Sequence, residues 1–441
     1  MTGSQRDAGL VRVIGTWGLA ANIVSMIIGA GIFAVPGALA ACIGPYAPLA
    51  FVVCGLAMGA VAICFAEGGS RMPTSGGAYG YIEAAFGPRI GYVAGTLLWL
   101  CCLLACGSVA AALADVAVSV TPPAYKVPVR TAVILCAIGG IALINVCGVA
   151  RGARLVNIAT MVKLVPLAIF VVVGAFAMHS GNFSMTARPS TQGLGRGLIL
   201  AFFALVGMES SLSASGEVRN PSRSIPRALA IAIAAMTLLY IAIQVVAQGI
   251  LGGSLAGSTT PLMDAMARVS PALRALMLAG TAVAMFGWLS SDILASSRTL
   301  FAFGQDGMLP RVLGRVHGRN HSPYVAILSY AGMAMAFALT GTFAELAVVS
   351  TLFVAVLYAA GCAAAWKLKR KGVAEAGAPL NFRWLPVAAV AGIASMVAMI
   401  ALASRVEILG LLAAIGASFA IYAVLEHSRR GEKAAETPAH S

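Results

Sequence analysis

Three ionisable residues stand where charge is hardest to keep. Lys163, Glu209 and Asp292 each lie inside a long apolar run. A charge at mid-membrane is costly, so such residues mark ion or substrate paths by default. Two are carboxylates able to take up and release a proton. The third is an ammonium that can occupy a cation site or pair with a carboxylate. Serines 290 and 291 precede Asp292, and serines 210, 211, 213 and 215 follow Glu209. A second chemistry belongs to the backbone. Residues Ser25 to Gly37 read SMIIGAGIFAVPG, and Ala201 to Gly216 read AFFALVGMESSLSASG. Glycine lowers the cost of unwinding a helix, and serine hydroxyls satisfy the backbone groups that unwinding frees. Secondary carriers place their sites at such interrupted helices.

The elements that must hold these residues are membrane helices. The chain has 441 residues, of which 60% are hydrophobic and 10% charged. Its mean hydropathy is +0.92, too apolar for a surface that must face water. A span needs about 20 apolar residues. Twelve candidates lie at about 16–40, 46–66, 90–115, 130–148, 156–178, 196–216, 226–250, 273–302, 323–341, 345–366, 384–403 and 408–427. With the N-terminus inside, 21 Lys and Arg fall in cytoplasmic segments and 7 in outer ones, with Lys163 within a span. That asymmetry predicts both termini in the cytoplasm of an inner or plasma membrane. The first fifteen residues lack the pattern of a cleaved signal, so the first helix is expected in the mature protein.

Several function classes lose support. The net charge of +14 follows from cytoplasmic loops and needs no nucleic-acid partner. No phosphate-binding GxxxxGK[ST] loop occurs, which disfavours an ATP-driven pump. The five histidines lie away from mid-membrane, and the nine cysteines show no zinc-type spacing. An enzyme, a bound metal, a cofactor and a disulfide framework are therefore not expected; the cysteines read as small packing residues. A channel filter is also missing.

The two glycine-interrupted spans are the first and the sixth, equivalent members of a five-plus-five repeat. Here the chain resembles the amino acid–polyamine–organocation superfamily. SMIIGAGIFAVPG is similar to its first-helix signature. EGGSRMPTSGGAYGYIEAAFG (Glu67 to Gly87), EVRNPSRSIP (Glu217 to Pro226) and SSRTLFAFGQDGMLP (Ser296 to Pro310) follow in the family's order, over roughly residues 12–370. The resemblance implies an all-α polytopic membrane protein with the leucine-transporter-like fold. It would be one transmembrane domain over 1–441, with inverted repeats over about 16–178 and 196–366, discontinuous helices 1 and 6, and two additional helices over about 384–427.

Site roles follow from the resemblance, residue by residue. The backbone N–H groups of Gly29, Ala30 and Gly31 are expected to receive a substrate carboxylate. Relatives often carry serine at position 30, so Ala30 leaves backbone contacts alone. The substrate ammonium is expected at carbonyls of Ile27 or Ile28 and near Phe203, Ala204 and Val206. Phe203 aligns with an aromatic gate. Glu209 could carry a proton, organise the break by hydrogen bonds, or face a cationic substrate. Lys163 is expected to place its ammonium where sodium-coupled relatives bind Na⁺, bridging helices one and eight. Asp292 falls where relatives place a small polar residue facing that lysine, and a Lys163–Asp292 ion pair is predicted, with Ser290 and Ser291 joining it. Trp288 lines the site or packs. Asp115 reads as a solvated end residue. Glu67, Arg71, Glu83, Arg298 and Asp306 read as a solvated rim. The function implied is secondary active amino acid transport by alternating access, independent of Na⁺, with proton symport favoured over exchange. Phe203, Met208 and Trp288 favour a neutral amino acid; Glu209 keeps exchange of basic amino acids or polyamines open. A ligand sensor without turnover is a further class. The partners are substrate, protons and the bilayer; the sequence leaves the oligomer unspecified.

Overall fold

Glycine and proline set the limits of the helices. In the computed structural model, residues 12–72, 77–147, 163–183, 189–305, 309–318, 320, 322–375 and 377–436 are described, with backbone alone at 213–214 and 428–436. The helices are α1 (Thr16–Ile27), α2 (Gly31–Ile43), α3 (Ala47–Arg71), α4 (Gly77–Phe86), α5 (Pro88–Val118), α6 (Lys126–Val146), α7 (Leu164–Ala175) and α8 (Thr191–Leu205). They continue as α9 (Met208–Ser211), α10 (Pro221–Leu251), α11 (Pro261–Ala267), α12 (Pro271–Gln305), α13 (Tyr324–Thr340), α14 (Phe343–Arg370), α15 (Leu385–Ala401) and α16 (Arg405–Glu436). Proline stands in the first turn of α5, α10, α11 and α15, where its missing N–H costs no helical bond. A capping box between Thr342 and Glu345 starts α14.

Every one of the twelve expected spans holds helix, and the fold is all-α and polytopic. Eight helical stretches are long and apolar enough to cross a bilayer. Thr16–Ile27, Leu164–Ala175, Tyr324–Thr340 and Leu385–Ala401 are shorter apolar helices. The segment 67–89, between the second and third expected spans, contains the end of α3 and the whole of α4. Among the described residues there is no strand, only an isolated bridge between Ile14 and Val218. α5 lies at the centre, 78% of its most apolar window being buried, whereas α16 lies at the edge with 11%. Exposed Leu56, Val127 and Val406 face outward, as lipid solvent permits.

One expectation about the helix ends is corrected. Glu67 and Arg71 are buried rather than solvated, and they pair at 2.7 Å one turn apart on α3. Arg71 also donates to Val373 O at 3.0 Å and Asn381 Oδ1 at 2.8 Å. Glu67 Oε2 accepts from the Phe382 N–H at 2.8 Å. The pair thus fastens the connector between α14 and α15 to the end of α3. Asp115 is likewise half-buried and paired with Arg130. Arg298 donates to the Leu294 carbonyl of its own helix. Asp306 and the residues before Lys163, 148–162, lie outside the described residues.

Candidate substrate site between two broken helices

The first break separates α1 from α2 at Ile28, Gly29 and Ala30. The second separates α8 from α9 at Val206 and Gly207, where Gly207 takes φ +139°, a conformation that L side chains rarely adopt. The two breaks touch. A methyl group on Gly31 would lie 2.8 Å from Ala204 Cα, and one on Gly207 would lie 2.8 Å from Met26 O. Both near neighbours are backbone atoms, so these glycines permit an approach that no other residue allows.

Breaking a helix orphans carbonyls on one side and N–H groups on the other. The carbonyl side is filled by protein. The buried Lys163 ammonium, at the N-terminal end of α7, donates to Ser25 O and, at 3.2 Å, to Ile28 O. The Trp288 indole N–H, from α12, donates to Met26 O at 2.9 Å. The Tyr240 hydroxyl, from α10, donates to Ile27 O at 3.1 Å. Four consecutive carbonyls therefore have side-chain donors from three helices. On the N–H side, Gly29 already donates to Ile27 O at 2.9 Å, so of the three expected donors Ala30 and Gly31 remain, and α2 starts at Gly31 behind Ala30 with no side-chain cap. The break is consequently polarised to receive an anion. The expectation of a substrate ammonium on Ile27 or Ile28 meets carbonyls already engaged by Tyr240 and Lys163.

A cavity of about 40 Å³ lies between the breaks. Ile27, Gly29, Ala30, Gly31, Phe203, Val206, Glu209, Trp288 and Asp292 line it, as expected site residues. Ile28, Ala204, Lys163, Ser290 and Ser291 stand behind the lining. Small-molecule sites usually enclose roughly 300–1,000 Å³, so lining side chains such as Phe203 and Trp288 must move aside before an amino acid fits between the touching breaks. Phe203 closes one side, packed edge-to-face on Phe343 at 5.9 Å.

Glu209 folds back on its own break. Its Oε2 accepts the Gly207 N–H at 3.1 Å and the Tyr358 hydroxyl of α14. Of the three roles open at the sequence level, hydrogen-bonded organisation of the break is the one this geometry displays. The predicted Lys163–Asp292 pair is not formed. Asp292 Oδ2 accepts the Tyr330 hydroxyl at 2.5 Å and Oδ1 accepts the Ser296 hydroxyl at 3.0 Å. The lysine is drawn instead to the orphan carbonyls of α1, whose need for donors no other charged group meets. Ser290 and Ser291 stay out of any such network, donating to Phe286 O and Gly287 O one turn back.

Sequence reasoning missed Tyr240, Tyr330 and Tyr358, together with Cys101, Cys102 and Ser350 of the lining. The tyrosines had a signal: each interrupts an aliphatic run, in LLYIA, LSYAG and VLYAA. A buried phenol needs a hydrogen-bond partner, and all three find theirs at the breaks or at Asp292.

The sequence profile of the amino acid permease family matches residues 14–424. The chain belongs to the amino acid permease family. The permease is 26% identical over 345 residues to the methylthioribose transporter of Bacillus subtilis, covering 74% of each chain. It is 29% identical over 325 residues to the branched-chain amino acid permease BcaP of Lactococcus lactis, covering 67% of this chain and 69% of that one. It is 27% identical over 328 residues to the chloroplastic cationic amino acid transporter 9 of Arabidopsis thaliana, covering 70% of this chain and 58% of that one.

Proposed function

We propose that this permease carries a neutral amino acid by alternating access, without Na⁺ and with protons as the driving ion. The observation that carries the reading is the polarity of the first break. Its carbonyls are filled by Lys163, Trp288 and Tyr240, while Ala30 and Gly31 line the cavity at the start of α2, which has no side-chain cap. A substrate carboxylate meets the N–H groups of Ala30 and Gly31, and the Lys163 ammonium supplies the positive charge that a sodium ion would bring. The walls beyond are largely apolar, with Ala105, Val109, Phe203 and Trp288, which suits an uncharged side chain. The branched-chain permease among the relatives agrees with that preference.

In this reading residues 16–178 and 196–366 are inverted repeats, each contributing one broken helix. Both termini face the cytoplasm of the cell membrane, a placement that the Lys and Arg distribution supports. Phe203 swings as a gate. Glu209 and Asp292 are the carboxylates through which a proton couples to substrate. A second reading has one observation in its favour: Asp292 lines the cavity with hydroxyl partners, Tyr330 and Ser296, and no cation among the described residues pairs with it. Such a carboxylate suits a basic substrate and exchange of amino acids.

Counterflow in proteoliposomes separates the readings. Vesicles preloaded with leucine, methionine or arginine are tested for uptake of each labelled amino acid and of the matching decarboxylated amine. The proposal expects leucine or methionine to be taken up, empty vesicles to accumulate them under a pH gradient, and amines to be ignored. Uptake of arginine that requires internal amino acid favours the second reading. Uptake of amines refutes the carboxylate-binding role of the break. Normal pH-driven accumulation by Glu209→Gln leaves Asp292 as the coupling carboxylate.

A further inference from the structure

A larger cavity lies away from the substrate site. It is a groove of about 620 Å³ on the outer surface between α3 and α10. Its floor is made of small residues, Gly55, Gly59 and Ala62 on one side and Ala230 and Ala234 on the other. Thr237, also in its lining, keeps a buried hydroxyl oxygen with no hydrogen-bond partner. One end is closed by Pro226, Leu380 and Phe382.

That end is basic. On α10 the lining runs through 226, 230, 234, 237 and 241. Stepping back one turn along the same stripe, at three and four residues, reaches Arg223 and leaves Arg227 at its edge. Arg383 follows Phe382 and lies over the ring of the exposed Trp384 at 5.9 Å. All three arginines are exposed, and no carboxylate among the described residues pairs with them. An apolar groove between two apolar helices that ends at exposed arginines beside an exposed tryptophan matches one amphiphile: an acyl chain with an anionic headgroup.

We infer that this groove is a binding site for an anionic phospholipid. One acyl chain lies along Gly55, Gly59 and Ala234, and the phosphate meets Arg223, Arg227 and Arg383. The site has a mechanical link to transport. α10 forms one wall, and its Tyr240 hydroxyl holds the Ile27 carbonyl at the first break. Phe382, at the closed end, donates its backbone N–H to Glu67. A lipid seated here braces α10 against α3 and stabilises the arrangement in which the breaks touch.

Two variants test the site without disturbing the core. A Cβ added at Gly59 meets nothing within 4 Å, so Gly59→Leu fills the groove from its floor, and leucine is the better helix former. Arg223→Gln with Arg227→Gln removes two exposed charges. Purified protein is placed in nanodiscs of phosphatidylcholine alone, or with a minority of phosphatidylglycerol, and thermal unfolding and lipid retention by native mass spectrometry are recorded. We expect phosphatidylglycerol to raise the unfolding temperature of the parent protein and to be retained. The arginine variant should retain it about fivefold less per charge removed, and Gly59→Leu should lose both retention and the lipid-dependent rise while unfolding no earlier than the parent in phosphatidylcholine alone. Equal effects of both lipids on all proteins overturn the proposal. So does concentration-dependent dimerisation abolished by Gly59→Leu, which assigns the groove to a second copy of the chain.

Discussion

Replacing Gly207 by alanine tests the contact between the breaks with a single methyl group. The added Cβ would lie 2.8 Å from Met26 O, 2.9 Å from Met26 C and 3.0 Å from Ile27 N. All three are backbone atoms, so no side chain can swing away. The residue also keeps φ at +139°. A sparsely populated backbone conformation costs about 1–3 kcal/mol, and overpacking by a methyl group costs about 1–3 kcal/mol more. The strain, about 2–6 kcal/mol together, falls on the arrangement in which the breaks meet and is relieved when they separate. Even the lower figure weakens substrate binding about 30-fold, since about 1.4 kcal/mol is a factor of ten. The assay is substrate-dependent thermal stabilisation of purified protein, with circular dichroism as the check that helix content is unchanged. Parent-like affinity and transport in Gly207→Ala would refute the reading that the contact between the breaks shapes the substrate site.

Three further outcomes follow from the same geometry. Lys163→Met leaves Ser25 O and Ile28 O without their donor, at about 1–3 kcal/mol each, and should weaken amino acid binding at least tenfold in the thermal-shift assay. Tyr358→Phe removes a hydroxyl donor from the buried Glu209 carboxylate; at about 1–3 kcal/mol, uptake into proteoliposomes should fall at least fivefold with expression unchanged. Arg71→Gln leaves the Glu67 carboxylate buried without its cation, at about 3–5 kcal/mol, and should lower the unfolding temperature in detergent while Arg89→Gln, at an exposed pair, leaves it unchanged.

The spans and the two breaks were legible because lipid imposes a coarse rule: about 20 apolar residues, with glycine and carboxylate as visible exceptions. Gly29–Gly31 and Gly207–Glu209 read directly from that rule. The partners of the charged residues were harder, because pairing depends on which direction a side chain leaves its helix. Lys163 and Asp292 looked like partners on charge alone. Two carbonyls at the first break, Ser25 O and Ile28 O, made a stronger claim on the lysine, and Tyr330 on the aspartate. The solvated rim failed at Glu67 and Arg71 for a similar reason: the connector around Val373–Phe382 folds back over them, and its backbone supplies their remaining partners. Neither effect has a periodicity that a sequence displays.

The central claim is that Lys163 replaces sodium at a backbone site for a substrate carboxylate. Its most direct test is amino acid accumulation by empty proteoliposomes in sodium-free buffer under an inward proton gradient. Concentrative uptake is expected, which added sodium does not increase and collapse of the proton gradient abolishes. Uptake that is absent without sodium and restored by it would contradict the account.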